Sequence, residues 1–171
     1  TVPPYTTTNT IVYGDEAFVV IHPGSTDHDQ LQIYIDSLAA RRALGQKFLA
    51  IILTHHHGDH SKGALPIAKK FGVPIMAHAN ARHHLNFAID KDIHDQEIVV
   101  EDDHLCLQAR YTPGHANDHM VYYDARNGCL IAGDMITDKG AVLIPPSHGD
   151  LATYLNSLNS LTTLQLTVVI P

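Results

Sequence analysis

Long apolar runs, abundant cysteine and an excess of basic residues are all missing from this chain, and each absence removes a class of function. The longest uninterrupted apolar run falls far short of the roughly 18 residues that span a bilayer, so no membrane helix is expected. Only two cysteines occur, Cys106 and Cys129. Both lie in apolar, strand-like runs and read as buried free thiols, which suits a reducing, cytoplasmic setting. Lys and Arg number 11 against 18 Asp and Glu, a net charge of −7, so no bulk attraction to nucleic acid phosphates is expected. The basic clusters Arg41-Arg42 and Lys69-Lys70 fall in expected amphipathic helices and read as solvated faces. No Gly-x-Ser-x-Gly elbow is present to supply a serine nucleophile. Internal repeats and low-complexity tracts are absent too. What remains, 171 residues with 44% hydrophobic and 17% charged content, is enough for one globular domain with a real core.

Histidine is the residue in surplus, with 14 in the chain. Three of them sit with an aspartate in Thr54-His55-His56-His57-Gly58-Asp59-His60. The stretch directly follows Phe48-Leu49-Ala50-Ile51-Ile52-Leu53, an apolar run that reads as a buried strand. Imidazole nitrogen and carboxylate oxygen are ligands that zinc takes at roughly 2.0–2.2 Å. In an extended loop, residues two apart point the same way, so His55 and His57 can grip one ion together. Asp59 and His60 follow Gly58, where the chain can turn, and point toward a second.

Elsewhere the pattern alternates. Strands are expected over 10–13 and 17–22, then a helix capped by Ser25-Thr26-Asp27 and closed by Gly45. The strand 48–53, a helix over 62–71, a strand over 73–77 and a helical stretch over 79–87 follow. A polar loop over 90–96 precedes strands at 97–100, 105–111, 119–124 and 129–132. A helix over 150–161 places Leu151, Tyr154, Leu155, Leu158 and Leu161 on one face, and 166–170 reads as a last strand. The alternation points to a layered α/β fold.

Two later segments repeat the logic of the first cluster. Tyr111-Thr112-Pro113-Gly114-His115 puts a histidine just after a strand, and Leu130-Ile131-Ala132-Gly133-Asp134 puts a carboxylate just after another. Sites in layered α/β folds gather at strand carboxyl ends. With its His-x-His-x-Asp-His loop, Thr-Pro-Gly-His turn and Gly-Asp strand end in that order, the chain resembles the metallo-β-lactamase fold superfamily. The segments Thr8–Gly14 and Pro145–Leu155 look most like its glyoxalase II and β-lactamase-like hydrolase branches.

The resemblance implies an αββα sandwich, two mixed β-sheets flanked by helices, as one domain over 1–171. It implies two Zn²⁺ sites, with His55, His57 and His115 on the first, Asp59 and His60 on the second, and Asp134 bridging both. Asp59 and Asp134 become the catalytic carboxylates. The implied activity is zinc-dependent hydrolysis of a small ester or thioester by a metal-bridging hydroxide. The alternatives are a phosphodiesterase, ribonuclease or lactonase of the same fold, a mononuclear iron sulfur dioxygenase, and a wholly or partly inactive fragment.

Two departures from the family pattern matter. His22 stands at a strand end where the family usually shows an Asp that braces the metal loop. A further His is expected in a turn after the strand 166–170, where this sequence reaches Pro171. The expectation is a domain incomplete at its C-terminus, with the second ion short of one protein ligand.

Overall fold

The computed structural model describes residues 8–171 and shows two five-stranded mixed sheets packed face to face between helices. The first sheet holds β1 (Ile11–Gly14), β2 (Ala17–Ile21), β3 (Lys47–Ile52), β4 (Ile75–His78) and β5 (Lys91–Ile93) in that spatial order. Only β1 and β2 are antiparallel; the remaining neighbours are parallel. The second sheet runs β10 (Val168–Ile170), β9 (Cys129–Ile131), β8 (Met120–Asp124), β7 (Cys106–Tyr111) and β6 (Ile98–Glu101). It is antiparallel except where β10 lies parallel to β9. The helices are α1 (His28–Ala43), α2 (Gly58–Ser61), α3 (Ala64–Phe71) and α4 (Leu151–Leu161).

Side-chain alternation with period two divides the core into layers. On β2, Phe18 and Val20 face α1 and α3, where they meet Leu38 and Ile67. Val19 and Ile21 point the other way and meet Leu107, Met120 and Tyr122 across the sheets. On β8, Val121 and Tyr123 turn to α4 and reach Leu161. Each fully buried aliphatic or aromatic chain is worth about 1.5–3 kcal/mol, so the sheet faces carry most of the stability. Tyr122 puts a polar atom into the middle layer, and its hydroxyl donates to the Leu53 carbonyl at 2.7 Å.

Several sequence expectations need correction. The helix read over 62–71 starts at Ala64, because Gly58–Ser61 forms its own turn and the chain kinks at Lys62-Gly63. The Gly63 amide leaves the helix to donate to Pro23 O at 2.7 Å. The helical stretch over 79–87 contracts to one 3-10 segment, Ala79–His83. The polar loop over 90–96 contains β5, a strand with too few apolar residues to signal itself. Leu151 and Leu155 of α4 are exposed at 58% and 53%, so the packed face is Tyr154, Ser157, Leu158 and Leu161. Cys129 is buried and Cys106 only half-buried, both as free thiols.

Candidate metal centre

The carboxyl ends of β2, β3, β7 and β9 open onto one edge of the sandwich, and the side chains beyond them converge there. Beyond β3 the chain stays extended through His55 and His57, then turns helical at Gly58. Extension lets two imidazoles point the same way, and the helical turn swings Asp59 and His60 to the neighbouring position. Gly24 makes this approach possible, because a Cβ there would overlap the carbonyl of Asp59. Beyond β7, Gly114 at φ +136° lets the His115 turn lie against the backbone of Tyr154.

The first cluster is tight. His57 Nδ1 lies 2.9 Å from both His55 Nε2 and His115 Nε2. Asp134 Oδ2 lies 3.3 Å from His115 Nε2 and 4.0 Å from His55 Nε2. One ligand atom from each of these four residues fits within 4.8 Å of the others. His55 and His115 are buried, while Asp134 is about one-third exposed at 34%. The other carboxylate oxygen, Asp134 Oδ1, faces the second group at 3.2 Å from His60 Nε2, and Asp59 Oδ2 lies 3.8 Å from that nitrogen. Asp134 therefore presents one oxygen to each half of the site.

Proton positions follow from the partners on the far side of each ring. His115 Nδ1 lies 2.6 Å from the Leu143 carbonyl, which can only accept, so Nδ1 carries a proton and Nε2 is turned toward the cluster. His55 Nδ1 contacts Thr54 Oγ1 at 3.0 Å, leaving its Nε2 aimed at the cluster. Burial pushes His55 well below the ordinary imidazole range, helped by the charge of neighbouring His60. Burial, then His115, brings His57 down to about 3. His60 is lowered by burial, with Asp134 and Asp59 pulling the other way. His55, His57 and His60 are thus held in the neutral form, the state that binds metal.

Neutral nitrogens at 2.9 Å cannot all satisfy one another, since one proton links only one pair. A cation offers all of them a partner. Nitrogens around a tetrahedral zinc at about 2.0–2.1 Å stand about 3.3 Å apart, close to the separations seen. The donor set fits a divalent metal.

Four further residues belong to the surroundings: His22, expected from the sequence at the position that braces the metal loop, and Thr54, His119 and His148, which were not readable as such. His22, buried and at φ +61°, backs onto the far side of His60, with Nδ1 atoms 3.4 Å apart, and its Nε2 meets Thr54 Oγ1. It stands behind the centre, and Thr54 joins it to His55. His119, fully buried just before β8, contacts Thr112 Oγ1 through Nδ1 at 3.0 Å, and its Nε2 has no hydrogen-bond partner. His148 touches His57 from the rim at 2.7 Å. Spacing four residues beyond His115 was the one available signal for His119; the Pro-Pro-Ser-His-Gly-Asp stretch was read only for its family likeness.

Residues 3–171 match the family described as the Metallo-beta-lactamase superfamily. The chain is 28% identical over 165 residues to the atrochrysone carboxyl ACP thioesterase of Passalora fulva, covering 94% of this chain and 46% of the relative. It is 34% identical over 130 residues to the hydroxyacylglutathione hydrolase of Rhodospirillum rubrum, covering 72% and 48%. The chain thus spans about half the length of the curated relatives it matches. Among solved structures, metallo-beta-lactamase IND-7 superposes with a TM-score of 0.76 at 17% identity, over 95% of this chain and 76% of that one.

Proposed function

The chain belongs to the metallo-beta-lactamase superfamily, and from that premise we propose that it is a metal-dependent hydrolase acting on a small acyl thioester. His55, His57, His115 and Asp134 hold a first divalent ion, and Asp59, His60 and Asp134 a second. Zinc is the proposed metal, since imidazole and carboxylate without thiolate suit it. When bound, such ions supply Lewis acidity toward the acyl oxygen and hydroxide near neutral pH.

The residues of the chain supply the rest. His115 is held by the Leu143 carbonyl with its Nε2 facing inward, so its ring needs no reorientation before binding. Asp134 splits its oxygens between the two halves and so fixes their spacing. Asp59, 35% exposed and beside His60, is the carboxylate we assign to take the proton from the attacking water and return it to the leaving sulfur. The thioester class is supported by the thioesterase and hydroxyacylglutathione hydrolase among the relatives. We further propose a cytoplasmic setting, which the two free thiols, Cys106 and Cys129, support.

The observation that carries this reading is the convergence of ring nitrogens of His55, His57 and His115 with a carboxylate oxygen of Asp134, all within 4.8 Å of one another. The test is thioester hydrolysis by chelator-treated protein before and after zinc is restored, beside Asp134→Asn. Turnover should return with zinc. The variant should lose more than about 100-fold in kcat/KM, since removing a ligand's charge exceeds the roughly 10–100-fold cost of disturbing its support. Zinc-independent turnover, or full activity in the variant, would refute it.

A further inference from the structure

We propose that His148 is a positioning residue for His57, fixing which of its two nitrogens carries the proton. The proposal rests on the reading of His55, His57 and His115 as metal ligands. A histidine binds metal through one nitrogen only when the proton resides on the other, and the group accepting that proton sets tautomer and ring orientation. His115 has Leu143 O for this purpose and His55 has Thr54 Oγ1. His57 faces the first cluster through Nδ1, so its proton must lie on Nε2, and Nε2 meets His148 Nε2 at 2.7 Å.

The next contact outward is compatible with that polarity. His148 Nδ1 lies 2.8 Å from Ser147 Oγ, which can accept its proton. With hydrogen on Nδ1, His148 Nε2 is an acceptor and His57 Nε2–H donates to it. The opposite polarity would place a proton on His57 Nδ1, pointing into the nitrogens it is meant to join.

The turn carrying His148 is braced for such a task. His148 N and Gly149 N both donate to Pro145 O, at 3.3 and 2.7 Å, and Asp150 N donates to Gly114 O at 2.8 Å. His148 is thereby anchored to the turn that delivers His115. Three ligand atoms from His56, His57 and His148 also lie within 4.8 Å of one another, the geometry of a small cation site. Two contacts speak against that use. His56 Nδ1 is engaged by Asp118 Oδ1 at 2.7 Å, and the His56 ring stacks on His84 at 4.0 Å. A cation there would also need His57 to surrender its last ring proton.

Zinc affinity, measured by competition with a chromophoric chelator, tests the proposal in the wild type and in His148→Ala, His148→Phe and His148→Gln. The Ala and Phe variants should bind the first zinc roughly 10–100-fold more weakly. His148→Gln, whose amide oxygen accepts a hydrogen bond, should recover most of the affinity. Cobalt absorption spectra should shift in the Ala and Phe variants and return in the Gln variant. Equal affinity in all four proteins overturns the proposal, as does a Gln variant as weak as Ala. Loss of one whole equivalent of zinc on removing His148, with the remaining affinity unchanged, assigns the cluster to a cation and also overturns it. A wild type that binds no zinc at all refutes the metal reading itself, an outcome separable from the other three.

Discussion

Burial makes the histidines of the centre unusual bases, and this has a measurable consequence. His22, His55 and His119 are pushed well below the ordinary range, in each case first by burial and then by neighbouring histidines. In the unfolded chain the same rings titrate near 6.5. As pH falls through 6.5 the unfolded state takes up protons that the folded state refuses, so stability present above that pH is lost below it. Each such ring contributes up to about 1.4 kcal/mol per pH unit. Denaturant unfolding of metal-free protein at a series of pH values should show stability falling from about pH 6.5 downward, with His119→Gln flattening the slope. A flat profile between pH 7.5 and 5 would contradict the burial argument. The ligand-type residues themselves were legible in the sequence, because crowding of His and Asp at strand ends is a local pattern. Thr54, His119 and His148 were not, because bracing depends on which strands lie side by side and which turn folds back.

Elements hold these residues by close approach as much as by hydrogen bonds. Gly24 follows β2 and lies against the Asp59 carbonyl, so the loop after one strand supports the turn that carries Asp59 and His60 after another. Gly24→Ala should force those segments apart and destabilise the protein by about 1–3 kcal/mol, the usual cost of overpacking. Zinc binding by Asp59 and His60 should weaken with it. A denaturant midpoint and zinc affinity matching the wild type would show that the contact is slack. Tyr122→Phe strips the Leu53 carbonyl of its buried donor just before the ligand loop, an expected loss of about 1–3 kcal/mol read from the same unfolding curve. Long, apolar strands such as β3 and β8 could be read from the sequence. Short elements could not: β5 has three residues, two of them charged, and is a strand only because Met76 to His78 pair with it.

The two sheets bring four strand ends to one edge, and the two halves of the centre are unequally furnished. The first half has three imidazoles and a carboxylate drawn within 4.8 Å. The second has His60 flanked by Asp134 and Asp59 at 3.2 and 3.8 Å. Zinc titration should therefore proceed in two unequal steps, the first equivalent tighter; two indistinguishable equivalents would show that the halves are matched. The layered architecture was legible from alternating strand and helix patterns, whereas the pairing of β10 with β9 was not, since parallel neighbours distant in sequence leave no local mark. The central claim is that His55 and His57 create the metal site. Elemental analysis of protein purified without added metal tests it most directly, comparing the wild type, a His55→Ala, His57→Ala double variant, and a His28→Ala, His104→Ala control that removes exposed histidines. Wild type and control should carry equal amounts of bound metal, and the double variant almost none. Equal metal in all three proteins would contradict the assignment.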